Sequence, residues 1–267
     1  MSFFKQFPKL KYDFDRNGVL QNVVNIYKSV RPLKNFEDNL NTYTFYDVKN
    51  GERPDIISQR LYGSPRFYWT FFIVNEYLHD GLAAWPMSQE NLQEYMANEY
   101  DGIVITTNPI IERDTDQSIT DHRNSLAGRF TLGETITGVT SGATGVLHKK
   151  NLDLNQIVLK NVTGTFIGDG VNTSELIQGG TSNDNVGTYQ VFKYIDAPYY
   201  YYLTGDAEKR VQTNAVFVEG GVESGQLSFV TNRAYLEEVN ELRSKLKVVD
   251  PRYIRKFADE FEDMLNG

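Results

Sequence analysis

The stretch YGSPRFYWTFFIVNEYL, residues 62–78, decides how the rest of the chain must be arranged. Placed at about 100° per residue on a helical wheel, Phe67 to Val74 put apolar side chains on nearly every face, with Thr70 the one interruption. Ser64 is an N-cap residue and Pro65 suits the first helical position, so the reading is one aromatic helix from Ser64 to about Asn75. Asn75, a residue that tolerates left-handed backbone, is the expected stop. A helix that is apolar all round has to be covered on several sides, and the neighbouring sequence offers two kinds of cover.

Upstream, Tyr43-Thr-Phe-Tyr-Asp-Val-Lys49 is β-prone and alternating, and it ends at the turn signal Asn50-Gly51. A short helix follows from Pro54 to Tyr62, with Ile56, Ile57 and Leu61 as its buried side and Gly63 as its C′ stop. Downstream, at the far end of the chain, Leu236, Val239, Leu242 and Leu246 form one helical stripe. Leu246 to Val249 is a short β-prone piece. Asp250-Pro251 then opens a last helix whose Ile254, Phe257, Ala258, Phe261, Met264 and Leu265 share a side. Burying those six would contribute on the order of 10 kcal/mol before entropy is subtracted, so this helix must dock on something.

Between these parts the composition turns to Gly, Thr, Ser, Asn and Val. Residues 108–126 read as a polar connector. An internal repeat follows: Phe130…Glu134-Thr-Ile-Thr-Gly138-Val-Thr-Ser141…Gly145 is echoed by Phe166…Glu175-Leu-Ile-Gln-Gly179-Gly-Thr-Ser182…Gly187. Two units of short strands with Gly-rich turns predict a small β-sandwich or barrel-like insert over about 126–192. Strands are expected again at Tyr189–Tyr194, Tyr199–Tyr202 and Ala215–Val218. The resulting plan is α+β: an N-terminal arm (1–40), a domain that opens strand–helix–helix (41–100), a β-rich region (101–230) holding the repeat, and C-terminal helices (231–267). Within the arm, Val19 to Val30 is too weakly patterned to assign.

Composition bounds the function. The 267 residues are 40% hydrophobic, and 27 Lys and Arg against 35 Asp and Glu leave a formal charge of -8. Such a balance argues against a nucleic-acid partner, which needs a concentrated basic face. No stretch approaches the ~20 apolar residues that span a bilayer, so no membrane partner is expected. The absence of cysteine excludes disulfides, thiol nucleophiles and Cys-ligated zinc. His79, His122 and His148 lack metal-ligand spacing, so no metal or other cofactor is expected. Asp114-Thr-Asp116 lacks the glycine and closing glutamate of a calcium loop, with Ile119 and Ser125 at those positions. Gly168-Asp-Gly170 reads as a turn. Glu175 with Asp169 and Glu237 with Glu241 are the available acid–base pairs, and the second is simply an i,i+4 helix pair, so no enzyme is expected. Trp69 and Trp85 could stack on a sugar, but core packing is the better reading.

Arg53-Pro54, Leu61-Tyr-Gly-Ser-Pro65, Tyr68-Trp69, Asn75, Trp85 and Ser88-Gln-Glu90 resemble the baseplate wedge protein of contractile-tailed bacteriophages, the gene product 53 family. Tyr46 to Gly63 with Asn75 also looks like the LysM pattern of strand, turn, helix and second helix, which implies a LysM-like βααβ core over 41–100. Pro198-Tyr199, Tyr202, Gly205-Asp206 and Asn240 to Phe257 extend the likeness, so it covers roughly 20–100 and 196–265, and the repeat-bearing insert stands outside it. The resemblance implies a structural virion subunit of the tail baseplate, synthesised in the host cytoplasm. It would clamp adjacent wedges around the central hub in a sixfold ring, touching wedge subunits, the sheath initiator and hub proteins. Phe67, Tyr68, Trp69, Phe72, Ile73, Trp85, Phe257 and Phe261 are the expected core or its inter-subunit extension. The expectation is of aromatic surface completed by other chains. The alternative function is binding of peptidoglycan or chitin oligosaccharide beside the Gly51-Glu-Arg53 turn, where LysM modules carry Gly-Asp-Thr.

Overall fold

Two strands about two hundred positions apart make the pairing that holds the aromatic stretch. The computed structural model describes residues 7–25, 42–107, 126, 128–211, 216–218, 221–223 and 227–266. In chain order these contain β1 (Lys9–Tyr12), β2 (Gln21–Val24), β3 (Tyr43–Asp47), α1 (Pro54–Tyr62), α2 (Thr70–Val74), α3 (Gln89–Glu99) and β4 (Ile103–Thr107). Then come β5 (Thr135–Gly138), β6 (Thr144–Asn151), β7 (Gln156–Thr163), β8 (Leu176–Gly179), β9 (Asn185–Lys193), β10 (Pro198–Leu203) and β11 (Asp206–Val211). Last are β12 (Val216–Val218), β13 (Gly221–Glu223), β14 (Leu227–Thr231), α4 (Asn232–Ser244), β15 (Lys245–Val249) and α5 (Ile254–Asn266). They form two compact units, residues 1–91 with 239–267 and residues 92–238.

In the first unit β3 pairs antiparallel with β15, from Tyr43 opposite Val249 to Asp47 opposite Lys245. The expected helix Pro54–Tyr62 forms, with Pro54 in its first turn and Gly63 at φ 69° ending it, a conformation that costs glycine nothing. The aromatic stretch differs from the single helix expected. It folds as a 3-10 turn at Pro65–Phe67, where the Ser64 hydroxyl accepts the Arg66 N–H, and then as the five-residue α2. Asn75 does not sit in left-handed backbone; its φ is -119°. The break has a physical cause: aromatic and β-branched side chains are mediocre helix formers, and here tertiary contacts decide the backbone. The arm contains a β-hairpin, with Lys9 opposite Val24 and Tyr12 opposite Gln21, so part of the unassigned Val19–Val30 segment is strand.

The cover for the aromatic stretch comes from the chain itself, which corrects the expectation that other chains supply it. On one side Trp69 joins Ile254, Phe257, Ala258, Phe261 and Leu265 of α5, together with Phe7 and Val249. On the other, Phe71 joins Ile57, Leu78, Ala84, Leu246 and Val248. The short β-prone piece after α4 is therefore the strand that closes the sheet and supplies both clusters.

In the second unit six strands close a barrel in the order β4-β7-β6-β5-β8-β9. Its interior holds Phe130 and Phe166, the leading residues of the two repeats, with Ile136 and Ile177 at matched positions. The repeat predicted the barrel-like insert; it did not predict β4, which lies upstream of the repeat and pairs with both β7 and β9. The connector expected at 108–126 lies almost wholly outside the described residues. A three-stranded sheet, β11-β10-β14, carries the tyrosine run in its central strand.

Candidate interaction site

Trp69 is the hinge-pin of the first unit. Its ring lies 4.7 Å from that of Phe261 and 6.3 Å from that of Phe257, and all three side chains are buried. Phe67, Tyr68 and Ile73 pack half-buried against the same cluster. Phe72 and Trp85 stand half-buried in the second cluster, with ring centroids 5.6 Å apart, and Tyr68 touches both groups. The eight aromatic and aliphatic residues singled out from sequence thus fall into two adjoining sets, joined through the 65–74 segment. Trp69 is too enclosed to serve as a stacking platform, and the Trp85 indole N–H is taken by the Glu52 carbonyl at 2.9 Å.

Polar side chains fix the frame around this seam. Asn75, 2% exposed, donates its amide to the carbonyls of Phe71 and Lys247 at 2.7 and 2.8 Å. Its oxygen accepts the Lys247 N–H at 2.9 Å and the Tyr77 hydroxyl at 2.8 Å. One amide thereby ties the end of α2 to β15, a role that a helix-ending reading of Asn75 missed. The Tyr62 hydroxyl donates to the Val249 carbonyl, and burial pushes that phenol well above its ordinary range. Asn240 on α4 accepts the Met87 N–H at 2.7 Å and donates to its carbonyl.

The Gly51-Glu-Arg53 turn, the place where a LysM module would read sugar, is occupied internally. Glu52 accepts the Tyr46 hydroxyl at 2.8 Å and the Lys49 N–H at 3.2 Å, and it pairs with the Arg60 guanidinium. Burial alone would raise this carboxyl; the Tyr46, Lys49 and Arg60 contacts outweigh it and hold Glu52 below the usual carboxylate range. Arg53 folds onto Asp55 in a two-pronged pair at 3.1 Å.

What the first unit offers outward is apolar and concentrated. Leu10, Tyr12, Phe14, Val19 and Leu20 are each half or more exposed, all within the β1–β2 hairpin. The hairpin's loop is itself ordered: the Asp13 carboxylate accepts the N–H groups of Asn17 and Gly18, and Asn17 accepts that of Val19. Its base is anchored, because Phe7 and Val24 pack on the Trp69 cluster. Phe45 on β3 is 83% exposed. Large exposed apolar groups on a rigid support are the residues that anchor protein interfaces. Sequence reasoning passed over the hairpin because alternation over four residues per strand is too short a signal.

In the second unit a cleft of about 680 Å³ is lined by Met96, Tyr100, Ile103, Asn161, Lys193 and Arg233, among others, with Asp101 the one carboxylate among its lining residues. His79 and His148 lie on different units, and among the described residues no three His, Cys, Asp or Glu side chains are grouped to hold a metal ion. His122 and Asp114–Ser118 fall outside the described residues. Asp169 is a turn cap, one carboxylate oxygen accepting the N–H groups of Val171, Asn172 and Thr173 at 2.8–2.9 Å. Among the described residues no helix is long and apolar enough to cross a membrane.

Residues 1–117 match the family described as base plate wedge protein 53. No curated protein matches the chain. The span includes the hairpin, β3, α1, the aromatic stretch and β4; β15, α5 and both copies of the repeat lie outside it.

Proposed function

We propose that this chain, whose residues 1–117 match the family described as base plate wedge protein 53, is a structural subunit of a phage tail baseplate that clamps adjacent wedges around the central hub. Its partners are then other wedge subunits, the hub and the sheath initiator, and its place is the virion. The role is mechanical and uses no reaction. The single observation that carries this reading beyond the family is the exposed apolar hairpin within the matched span, held by its base on the Trp69 cluster. A fold that buries its aromatic seam against its own α5 and still displays Tyr12, Phe14, Val19 and Leu20 is built to present them to another protein. The order β3–α1–α2–β15 supports a LysM-like strand–helix–helix–strand reading of the first unit, with the second strand drawn from the far end of the chain. The inward-turned Glu52 supports protein contact over oligosaccharide binding for it.

The test is reconstitution with baseplate wedge subunits, using the wild type and a Phe14→Asp, Leu20→Asp variant. The variant should melt within a few degrees of wild type, because both side chains are solvent-facing, yet fail to enter ring-shaped assemblies seen by electron microscopy. Rings that form equally well with the variant would refute the assignment of the hairpin.

A further inference from the structure

The two copies of the repeat complete each other. Glu134 of the first copy accepts the Thr131 N–H at 2.6 Å and then reaches the turn of the second copy, taking the N–H groups of Thr181 and Ser182 at 2.9 Å each and the Ser182 hydroxyl at 3.0 Å. Glu175 of the second copy does the converse. It accepts the Ile167 N–H at 2.6 Å, the N–H groups of Ser141 and Thr140 at 2.9 and 3.2 Å, and the Ser141 hydroxyl at 2.9 Å. The two serine oxygens in turn accept the N–H groups of Ala143 and Asp184. Both carboxylates are buried, at 6% and 4% exposure, and every partner of each is a backbone N–H or a serine hydroxyl.

The glycines of the repeat make room for this. A Cβ at Gly138 would lie 2.3 Å from Ser141 Oγ and 2.6 Å from a Glu175 oxygen; one at Gly179 would lie 2.3 Å from Ser182 Oγ and 2.8 Å from a Glu134 oxygen. The spacing Glu-x-Ile-x-Gly-x-x-Ser is therefore the grammar of a clasp, in which one copy supplies the carboxylate and the other the nest that receives it.

We propose that the barrel is a two-key clasp, in which ionised Glu134 and Glu175 each lock the opposite repeat, so that protonating or neutralising either one loosens both turns together. The coupling follows from the connectivity. β5 carries Glu134 at its entry and Gly138 at its exit, and it pairs with β8, which carries Glu175 and Gly179 in the same places. Freeing one turn thus releases the strand that positions the other glutamate. Burial pushes both carboxyls up, and the converging N–H donors outweigh it, so each is held below the usual carboxylate range. A depressed native value means the stabilisation is fully present above the unfolded pKa of about 4.3 and is lost as pH falls through the native value. On the segment that Glu134 holds through Thr131, Asp184 accepts the Phe130 N–H, the Lys150 ammonium donates to the carbonyls of Arg129 and Phe130, and the Arg129 guanidinium donates to the Asn185 carbonyl. Asp169, in the loop that the Gly168–Ser174 bridge closes ahead of Glu175, is occupied by its own turn. Site variants at neutral pH alter one carboxylate at a time and so isolate the clasp.

The experiment is amide hydrogen exchange on the full chain, read by mass spectrometry over residues 138–143 and 179–184 and corrected for intrinsic rates. In Glu134→Gln and Glu175→Gln at pH 7, protection should fall about tenfold or more in both turns, whichever residue is changed, and the double variant should add little. In the wild type, both turns should lose protection at one midpoint below pH 4.3. Loss confined to the turn contacted by the substituted glutamate overturns the proposal. If a Gln variant does not fold, the wild-type titration decides, and two midpoints more than about one pH unit apart overturn it equally.

Discussion

Phe261→Ala probes the idea that α5 is an integral wall of the first unit. The Phe261 ring is 2% exposed and its centroid lies 4.7 Å from that of Trp69, with Phe257 on the same indole. Truncating a buried Phe costs about 3–5 kcal/mol when the site cannot collapse. Here the neighbours are rings held between α5 and the 65–74 segment, so collapse is restricted and a loss of about 4 kcal/mol is expected. With a urea slope of about 2 kcal/mol/M, the midpoint should fall by about 2 M. Tryptophan fluorescence reports this unit selectively, because the chain's two tryptophans, Trp69 and Trp85, both lie in it. Phe45→Ala removes the same ring from a side chain that is 83% exposed, and it should shift stability by no more than about 0.5 kcal/mol. A Phe261→Ala loss below about 1 kcal/mol, or a Phe45→Ala loss of comparable size, would refute the reasoning that α5 closes the core.

Asn75→Ala leaves the N–H and carbonyl of Lys247 and the carbonyl of Phe71 without their partners, and a loss of about 2–3 kcal/mol in the same urea assay is expected. Ending the chain after Ser244 removes β15 and α5, with Leu246, Val248, Val249, Phe257 and Phe261; fluorescence-monitored unfolding should then lose its cooperative transition, and a wild-type-like curve would count against the pairing with β3. Glu52→Gln should flatten the acid limb of the first unit's stability, since the native carboxyl is held low and its contribution, present above the unfolded pKa of about 4.3, is lost on acidification. Gly138→Ala should destabilise the barrel by about 1–3 kcal/mol in calorimetry. By contrast Gly187→Ala, where an added Cβ meets nothing within 4 Å, should leave the barrel transition in place.

Local elements were largely legible in the sequence, because they depend on chemistry within a few residues. Pro54 and Gly63 bracket α1, the alternation from Tyr43 makes β3, and the apolar spacing from Ile254 makes α5. The family likeness of residues 61–90 was carried by the same kind of short-range pattern, and it falls inside the matched span. The repeat, too, announced a small β-sandwich or barrel-like unit. What failed was of another kind. The 65–74 segment was expected as one helix because a wheel registers apolarity and not which neighbour covers it; the observed break at Tyr68–Trp69 lets Trp69 face α5 while Phe71 faces the sheet. Glu175 reads from sequence as half of an acid–base pair with Asp169, whereas it holds the Ile167 N–H and a turn 34 and 35 residues away.

The sequence by itself determined α1, β3 and α5, that a repeat would fold as a β unit, and that a tightly apolar segment needed cover on more than one side. Only the tertiary structure decided what provides that cover and what remains outside: β15 and α5 return from the end of the chain to enclose Trp69 and Phe71, and the hairpin's Tyr12, Phe14, Val19 and Leu20 are left facing solvent. The physical reason is that burial is non-directional and indifferent to distance along the chain. Any apolar face of suitable shape can serve, and the choice among them rests on strand register and on single polar ties such as Asn75 to Lys247.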